Sequence, residues 1–507
     1  MSENSSGTSL SKGKLGVAGI VFFVVAAAAP LLGMTGAVPV AMFLGNGAGA
    51  SGTYLAVGLI LALFAVGYSA MSQKVTNTGA FFAYVGRGLG RNAGVASAFA
   101  SIVGYVTIQL AIYGFFGGVM FFTFGMLPWW GWGIVAWVVA TALSLFSVDI
   151  GAKVLGALMI LEVAVLVITA VSILATNAGS IDFAAAFSPN AILAGGITGS
   201  AGIAIAFAFA SFIGFEATAI YGEESKDPKR SVPRATYWAI GLITALFALV
   251  SLAMSTAMAS YNNPDMPEGL QSGLYGYIAE FGALDPAVGL TNPAGVLQHM
   301  ADVSLGGTWM STIMGYLVLT SCFAGILAFQ NAISRYFFAL GRGGVLPASF
   351  GRTNSNGAPQ NGVMLTSALA LVIMVAFAAA GLDGIGNLFT WMSAITAVAI
   401  MFVEILVSIA VIVYLRKDGS VSMWKSTLAP ILSAIGLAAG LYLLMSRFNL
   451  LGNLSAEGVD PTLPDSAWQM STMGWVFVLS PFIAAAIGFA VSAATRNKEE
   501  LGVDVLS

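Results

Sequence analysis

Residues 30 to 39 read PLLGMTGAVP. They sit in an apolar run at 15–43 that is long enough to cross a membrane, and two prolines and two glycines interrupt its middle. In hydrocarbon each freed backbone N–H or C=O costs several kcal/mol, so a helix breaks there only where protein or a wet cavity supplies partners. The interruption therefore predicts a discontinuous span with a use for its loose ends. Amides freed around Thr35, Gly36 and Ala37 would carry the positive end of a half-helix dipole and favour an anionic group. Gly33 and Gly36 would let a ligand approach the backbone, and Thr35 would add a hydroxyl. A Gly/Pro kink that only eases packing is the alternative.

The composition around this stretch fits that setting. The chain has 507 residues, 58% hydrophobic and 8% charged, where soluble proteins carry roughly a quarter charged residues. Repeated apolar runs of about 20 residues match a hydrocarbon core spanned by helices and not by the short alternating strands of a barrel. Twelve spans are expected, near 15–43, 53–72, 93–124, 131–148, 152–175, 199–222, 235–259, 307–340, 361–380, 385–415, 427–446 and 470–494. The polar start, 1–14, and the long first apolar run read as a cytoplasmic tail and a retained span, not a removed signal peptide.

With the N-terminus in the cytoplasm, 18 of the 19 Lys and Arg residues fall on one face and only Arg447 on the other. That bias predicts both termini inside and an even number of spans. One cysteine, Cys322, and one histidine, His299, make no metal cluster, so neither a metal nor a cofactor is expected. A net charge of −3 argues against nucleic acid as a partner. The polar stretch 260–306, with SYNNPDMPEGLQSG at its start, reads equally well as a solvated external cap or as a gate. Trp129 and Trp130 fit an interfacial anchor.

Span 6 has an irregular centre of its own, FASFIGFEA at 209–217, and spans 3 and 8 are both unusually long. Features recurring five spans apart predict two inverted repeats, whose discontinuous helices meet near the bilayer midplane and bind substrate and coupling ions. Phe209, Phe212, Gly214, Phe215 and Glu216 are therefore candidate substrate-site residues. A carboxyl at that depth is a functional candidate by default. Glu216 could accept an ammonium group, hold a proton, or tie down amides freed by the break.

Glu162, in GAKVLGALMILEVAVLV, lies eleven residues after Gly151, about 16 Å into the bilayer at 1.5 Å per residue. Burial there disfavours the ionised form. Glu162 is accordingly the candidate for exchanging a coupling proton, with a neutral, hydrogen-bonded structural role as the other reading. Glu404 of span 10 is a third buried carboxyl, and Gln109, Tyr113 and Gln330 are further polar groups within spans. Phe329 of span 8 is expected to line the cavity, while Cys322 reads as a small packing residue.

Two loop motifs then carry a resemblance: YGEESKDPKRSVPRA at 221–235 and SRYFFALGRGGVLP at 334–347, with TNTGAFFAYVGRGLG at 76–90 in support. Together they resemble the amino acid-polyamine-organocation superfamily over roughly the first ten spans. The resemblance implies a leucine-transporter-type fold: two inverted five-helix repeats, here 15–175 and 199–415, with two trailing helices at 427–494 and a cytoplasmic tail at 495–507. It implies secondary transport of amino acids or amines. It also implies a Gly-Ser-Gly type break in span 1 that receives a carboxylate, for which this chain has Gly33, Met34, Thr35 and Gly36, Met34 departing from the pattern. Glu216 falls at the unwound part of span 6. Several proton-coupled relatives have a lysine in span 5 where this chain aligns Glu162, so a protonatable group carries over with reversed charge. A carboxylate there could equally bind sodium with Thr320 or Ser321.

The expected function is a plasma-membrane carrier (inner membrane if Gram-negative) importing a small amino acid or amine by alternating access, with a proton. The alternatives are exchange, sodium coupling, or a substrate-sensing membrane protein. Enzymatic activity is not expected, because no nucleophile and base, metal set or phosphate loop is legible.

Overall fold

The computed structural model describes residues 16–75, 80–146, 152–194, 200–216, 218, 225 and 227–495. The terminal tails and residues 221–224 and 226 of the 221–235 motif lie outside them. Among the described residues, nine helical stretches are long and apolar enough to cross a membrane, and Trp129–Leu145 and Ala201–Phe212 are shorter apolar helices. One of the nine, Pro30–Ser72, carries both the second half of span 1 and all of span 2. The protein is an all-α, multi-spanning membrane protein. Its outer surface presents large apolar side chains such as Leu59, Trp238, Ile435 and Val476, which a bilayer satisfies and water does not.

Span 1 begins as Val17–Ala28 and stops at Ala29, whose backbone is left-handed at φ 44°, ψ 67°. The cause is the following residue: proline disfavours helical geometry in its predecessor and is itself well suited to a helix's first position. From Pro30 the chain stays helical to Leu44, with wide π-type turns at Gly33–Ala37 and Ala41–Asn46, the second kinked at Gly45, whose φ of −102° and ψ of −119° are not helical. Those wide turns absorb the hydrogen bond that Pro39 cannot make. The break is thus one to two turns earlier than the sequence suggests, and Thr35, Gly36 and Ala37 lie inside continuous helix.

Span 2 is Ala50–Ser72 and span 7 is Pro228–Met258, and the two pack along each other. Spans 3 and 8, Arg91–Phe124 and Trp309–Arg342, are each 34 residues long and also pack together. Span 3 is the most enclosed of the long helices, touching spans 4, 8, 9, 10 and 12. Glycines set its close approaches: a Cβ at Gly104 would come within 2.8 Å of Ile400 of span 10. Span 5 is Ala152–Thr176 and span 10 runs from a wide turn at Gly384–Phe389 into Thr390–Asp418.

The segment between spans 7 and 8 is more ordered than a solvated cap. It folds into helices Gly273–Phe281 and Ala294–Leu305 joined by a two-stranded hairpin pairing Leu284 with Leu290. Tyr277, Ile278, Val296, Leu297 and Met300 are buried beneath it. Ala294–Leu305 rests on Gly33–Ala37, span 5 and span 8, so this cap touches the second half of span 1.

Candidate functional site

Span 6 breaks as span 1 does. Its first half, Ala201–Phe212, ends where Ile213 turns extended and Gly214 takes φ 122°. Its continuation, 217 and 219–224, lies outside the described residues. The two breaks touch: a Cβ on Gly214 would lie 3.0 Å from the Ala28 amide nitrogen and 3.2 Å from the Ala27 Cβ. Only glycine combines that backbone with that proximity.

A cavity opens at this junction, with about 30 Å³ available to the centre of a water molecule, enough for about two waters. Its wall includes Ala27–Ala29, Leu32, Gly33 and Ala37 from span 1, Ala210, Ser211 and Ile213 from span 6, and Ile108 and Ile112 from span 3. Phe329 of span 8 and Phe389 and Ser393 of span 10 close it. The lining is apolar apart from two serine hydroxyls. Ser211 Oγ already donates to the Phe207 carbonyl at 2.7 Å and lies 3.2 Å from Tyr54 Oη.

Carboxyls hold both broken ends. Glu162 accepts from Ser321 Oγ at 2.8 Å and lies within electrostatic reach of the Leu31 amide at the start of span 1's second half. Glu216 Oε2 accepts from the Gly214 amide at 2.8 Å, and the Glu216 carbonyl accepts from Tyr68 Oη at 2.8 Å. Each is a charge-capable acceptor placed on an amide that the break leaves without a helical partner.

Of the residues expected at the site, Gly33 and Phe329 line the cavity. The others sit around it. Thr35 Oγ1 donates to the Leu31 carbonyl at 2.7 Å, so its hydroxyl is engaged within its own helix. Met34 is fully buried. Gly36 backs onto the Phe115 and Phe389 rings, which a Cβ would approach to 2.8 and 3.2 Å. Phe212 packs edge-on against Phe247, and Phe215 against Phe64. Phe209 faces Gly440 of span 11. Gln109 bonds Gln330 at 2.6 Å, and Gln330 continues to Ser367 of span 9 at 2.8 Å, a buried brace between spans and not a cavity wall. Thr320 returns its hydroxyl to the Leu317 carbonyl, leaving Ser321 as the partner of Glu162.

Sequence reading missed the alanines at 27–29, the isoleucines of span 3, and Phe389 and Ser393. The alanines precede Pro30, and that order was the available signal: the residue before a proline, not the centre of a Gly/Pro-rich stretch, marks the break. Nothing in the primary pattern of span 10 singles out Ser393.

The surroundings in sequence space agree with this architecture. The profile of the amino acid permease family matches residues 23–500. The branched-chain amino acid permease of Lactococcus lactis is 26% identical over 252 residues, 49% of this chain and 46% of that protein. The histidine permease of the same species is 23% identical over 372 residues, covering 68% of this chain and 70% of its own length. The putrescine transporter of Haemophilus influenzae is 25% identical over 48% of each chain. The chain thus spans less than half of some of its curated relatives and about two thirds of others. In fold, the manganese transporter of Eremococcus coleocola superposes with a TM-score of 0.58 at 12% identity, over 97% of this chain and 99% of that one. With one family profile covering nearly its whole length, this chain belongs to the amino acid permease family.

Proposed function

We propose that the protein is a secondary carrier for a small neutral amino acid with an aliphatic side chain, taken up by alternating access together with a proton. The observation that carries this reading is the meeting of two broken helices at one cavity, with Glu162 and Glu216 on the broken ends. The walls favour an aliphatic side chain, because a second charge would face alanine, isoleucine and phenylalanine without a partner. The α-carboxylate is assigned to the start of span 1's second half, at Leu32, where the helix dipole is positive. The α-ammonium group is assigned to the carbonyl end of Ala201–Phe212, where that dipole is negative. The branched-chain permease among the relatives agrees with this class.

The cavity is too small for an amino acid as it stands, so access requires the walls to separate. Spans 1 and 6 are the elements whose continuity is already interrupted there. Substrate and proton drive the exchange between outward-open and inward-open forms by binding those forms unequally. Recurrence of broken, long and paired spans five apart supports two inverted repeats at 15–175 and 199–415, with both termini cytoplasmic in the plasma membrane. Glu162 is assigned to the proton: ionised, it accepts from Ser321 and attracts the nearby Leu31 amide, and protonation withdraws part of that hold on span 1.

Uptake by purified protein in liposomes tests the reading. Accumulation of alanine, valine or leucine driven by an inward proton gradient is the expected result. Uptake that requires internal amino acid would replace it with exchange, a requirement for sodium would move the coupling, and no saturable flux of any amino acid would sink it.

A further inference from the structure

Span 10 carries hydroxyl side chains at Thr390, Ser393, Thr396 and Ser408. Three of them turn back on their own helix. Thr390 donates to the Gly386 carbonyl, Thr396 to the Met392 carbonyl at 2.7 Å and Ser408 to the Glu404 carbonyl at 2.9 Å, the usual recourse of a hydroxyl inside a helix. Ser393 departs from them. Among the described residues no hydrogen bond engages its hydroxyl, although the residue is only 2% exposed and forms part of the cavity wall. The other serine of the wall, Ser211, has already given its proton to the Phe207 carbonyl. Ser393 thus offers the cavity a hydroxyl that the protein itself leaves unused.

The helix around Ser393 is held in place on two sides. Trp391, two residues earlier, lies nearly opposite Ser393 at 3.6 residues per turn. Its indole N–H donates to the Gly452 carbonyl at 3.1 Å, and its ring packs on Phe377 of span 9 and Phe477 of span 12, 5.7 and 5.6 Å between centroids. Nearly one turn beyond Ser393, Thr396 Oγ1 lies 2.8 Å from Thr107 Oγ1 of span 3, next to the wall residue Ile108. These contacts fix the rotation of span 10 and hold Ser393 to the cavity.

With the α-carboxylate at span 1 and the α-ammonium group at the end of Ala201–Phe212, the substrate side chain is left to the rest of the wall: Ile108, Ile112, Phe329, Phe389 and Ser393. A charge has no partner there, and a pure hydrocarbon leaves the Ser393 hydroxyl unpaired against it. A neutral hydroxyl satisfies both sides. We propose that Ser393 sets specificity within the aliphatic class by pairing its hydroxyl with one on the substrate side chain, so that the preferred cargo is a hydroxylated amino acid of the threonine or serine type. This rests on the carrier reading above and narrows it.

Threonine and valine differ by a hydroxyl for a methyl, as do serine and α-aminobutyrate, so each pair isolates the oxygen at nearly constant shape. Thermal stabilisation of the purified protein, titrated with each of the four, reads their affinities without transport. One neutral hydrogen bond is expected to give threonine about a tenfold advantage over valine. Ser393→Ala is expected to reverse the order, because the substrate hydroxyl then enters an apolar wall unpaired. Equal affinities within both pairs overturn the proposal, as does a threonine preference that survives Ser393→Ala. All four ligands weakening alike in that variant also overturns it, since the hydroxyl would then serve the α-groups. Should Ser393→Ala be unstable, Ser393→Cys keeps the size with a weaker donor: a reduced threonine preference supports the pairing and an undiminished one overturns it. Binding of valine and threonine alike sinks this proposal alone, whereas stabilisation by no amino acid takes the carrier reading down with it.

Discussion

Ser321 Oγ donates to Glu162 Oε2 at 2.8 Å, joining span 8 to span 5 where span 1 is broken. The same carboxyl lies within electrostatic reach of the Leu31 amide, so one side chain stands where three spans meet. Glu162→Gln keeps the shape and one acceptor oxygen but removes the proton-binding group. It is expected to flatten the pH dependence of uptake while substrate binding largely persists. Uptake against external pH, with affinity measured alongside, checks this; undiminished proton-driven accumulation would take Glu162 out of the coupling. Ser321→Ala removes one donor to the carboxylate and is expected to cost about 1 to 3 kcal/mol in that interaction, with a smaller change in the pH profile.

Gly214 supplies a second expectation. Any Cβ there is strained at φ 122° and meets the Ala28 amide at 3.0 Å, so Gly214→Ala forces the two breaks apart or the bend out of shape. A backbone held in such a region costs about 1 to 3 kcal/mol for a non-glycine residue. Faster thermal inactivation in detergent and weakened substrate binding should appear together. Wild-type values for both would mean that the bend is not held as seen.

These two sites show unequal legibility. Span positions were readable because hydrocarbon demands long apolar helices, and length alone then places them. Glu162 and Glu216 were readable because a mid-membrane carboxyl needs a reason. The residue of the break was not. Two glycines and a second proline drew attention to 33–39, whereas the steric rule acts on Ala29, one residue before Pro30, and π-type turns repair the rest. The roles of Phe209, Phe212 and Phe215 escaped for another cause: a helix pattern says which residues are apolar, and only packing decides which of them meet a cavity and which meet span 11, Phe247 or Phe64.

His299 gives an expectation outside the membrane-spanning helices. Its ring stacks on Phe281 at 3.6 Å, and Nδ1 lies 2.7 Å from Tyr277 Oη. Burial holds its protonation below the ordinary imidazole range, against the opposing pull of Asp302 and Glu280. The folded cap therefore binds a proton less readily than the unfolded segment. Its contribution to stability is present above about pH 6.5, the unperturbed value, and is lost as pH falls from there through the lowered folded value. Protection factors across 273–305, exchange rates divided by their intrinsic values at each pH, should fall on acidification in the wild type and lose that response in His299→Gln. Wild-type protection factors that stay constant as pH falls through this range would refute the linkage.

Gly36 tests how the cavity wall is supported. It does not touch the cavity, but its missing side chain seats Phe115 and Phe389, whose rings lie 5.0 Å apart between centroids. Phe389 is part of the wall. Gly36→Val would press on the Phe115 ring at a distance no side-chain carbon tolerates and crowd the Phe389 ring, and overpacking of this kind costs about 1 to 3 kcal/mol. Phe389 is then expected to tip into a cavity already narrow, lowering affinity for the larger aliphatic amino acids more than for alanine. Phe389→Ala in the same background relieves the collision and should restore binding of the larger substrates. Competition uptake with alanine and leucine in the single and double variants measures this, and a Gly36→Val protein with an unchanged alanine-to-leucine preference would show that the wall does not rest on that glycine.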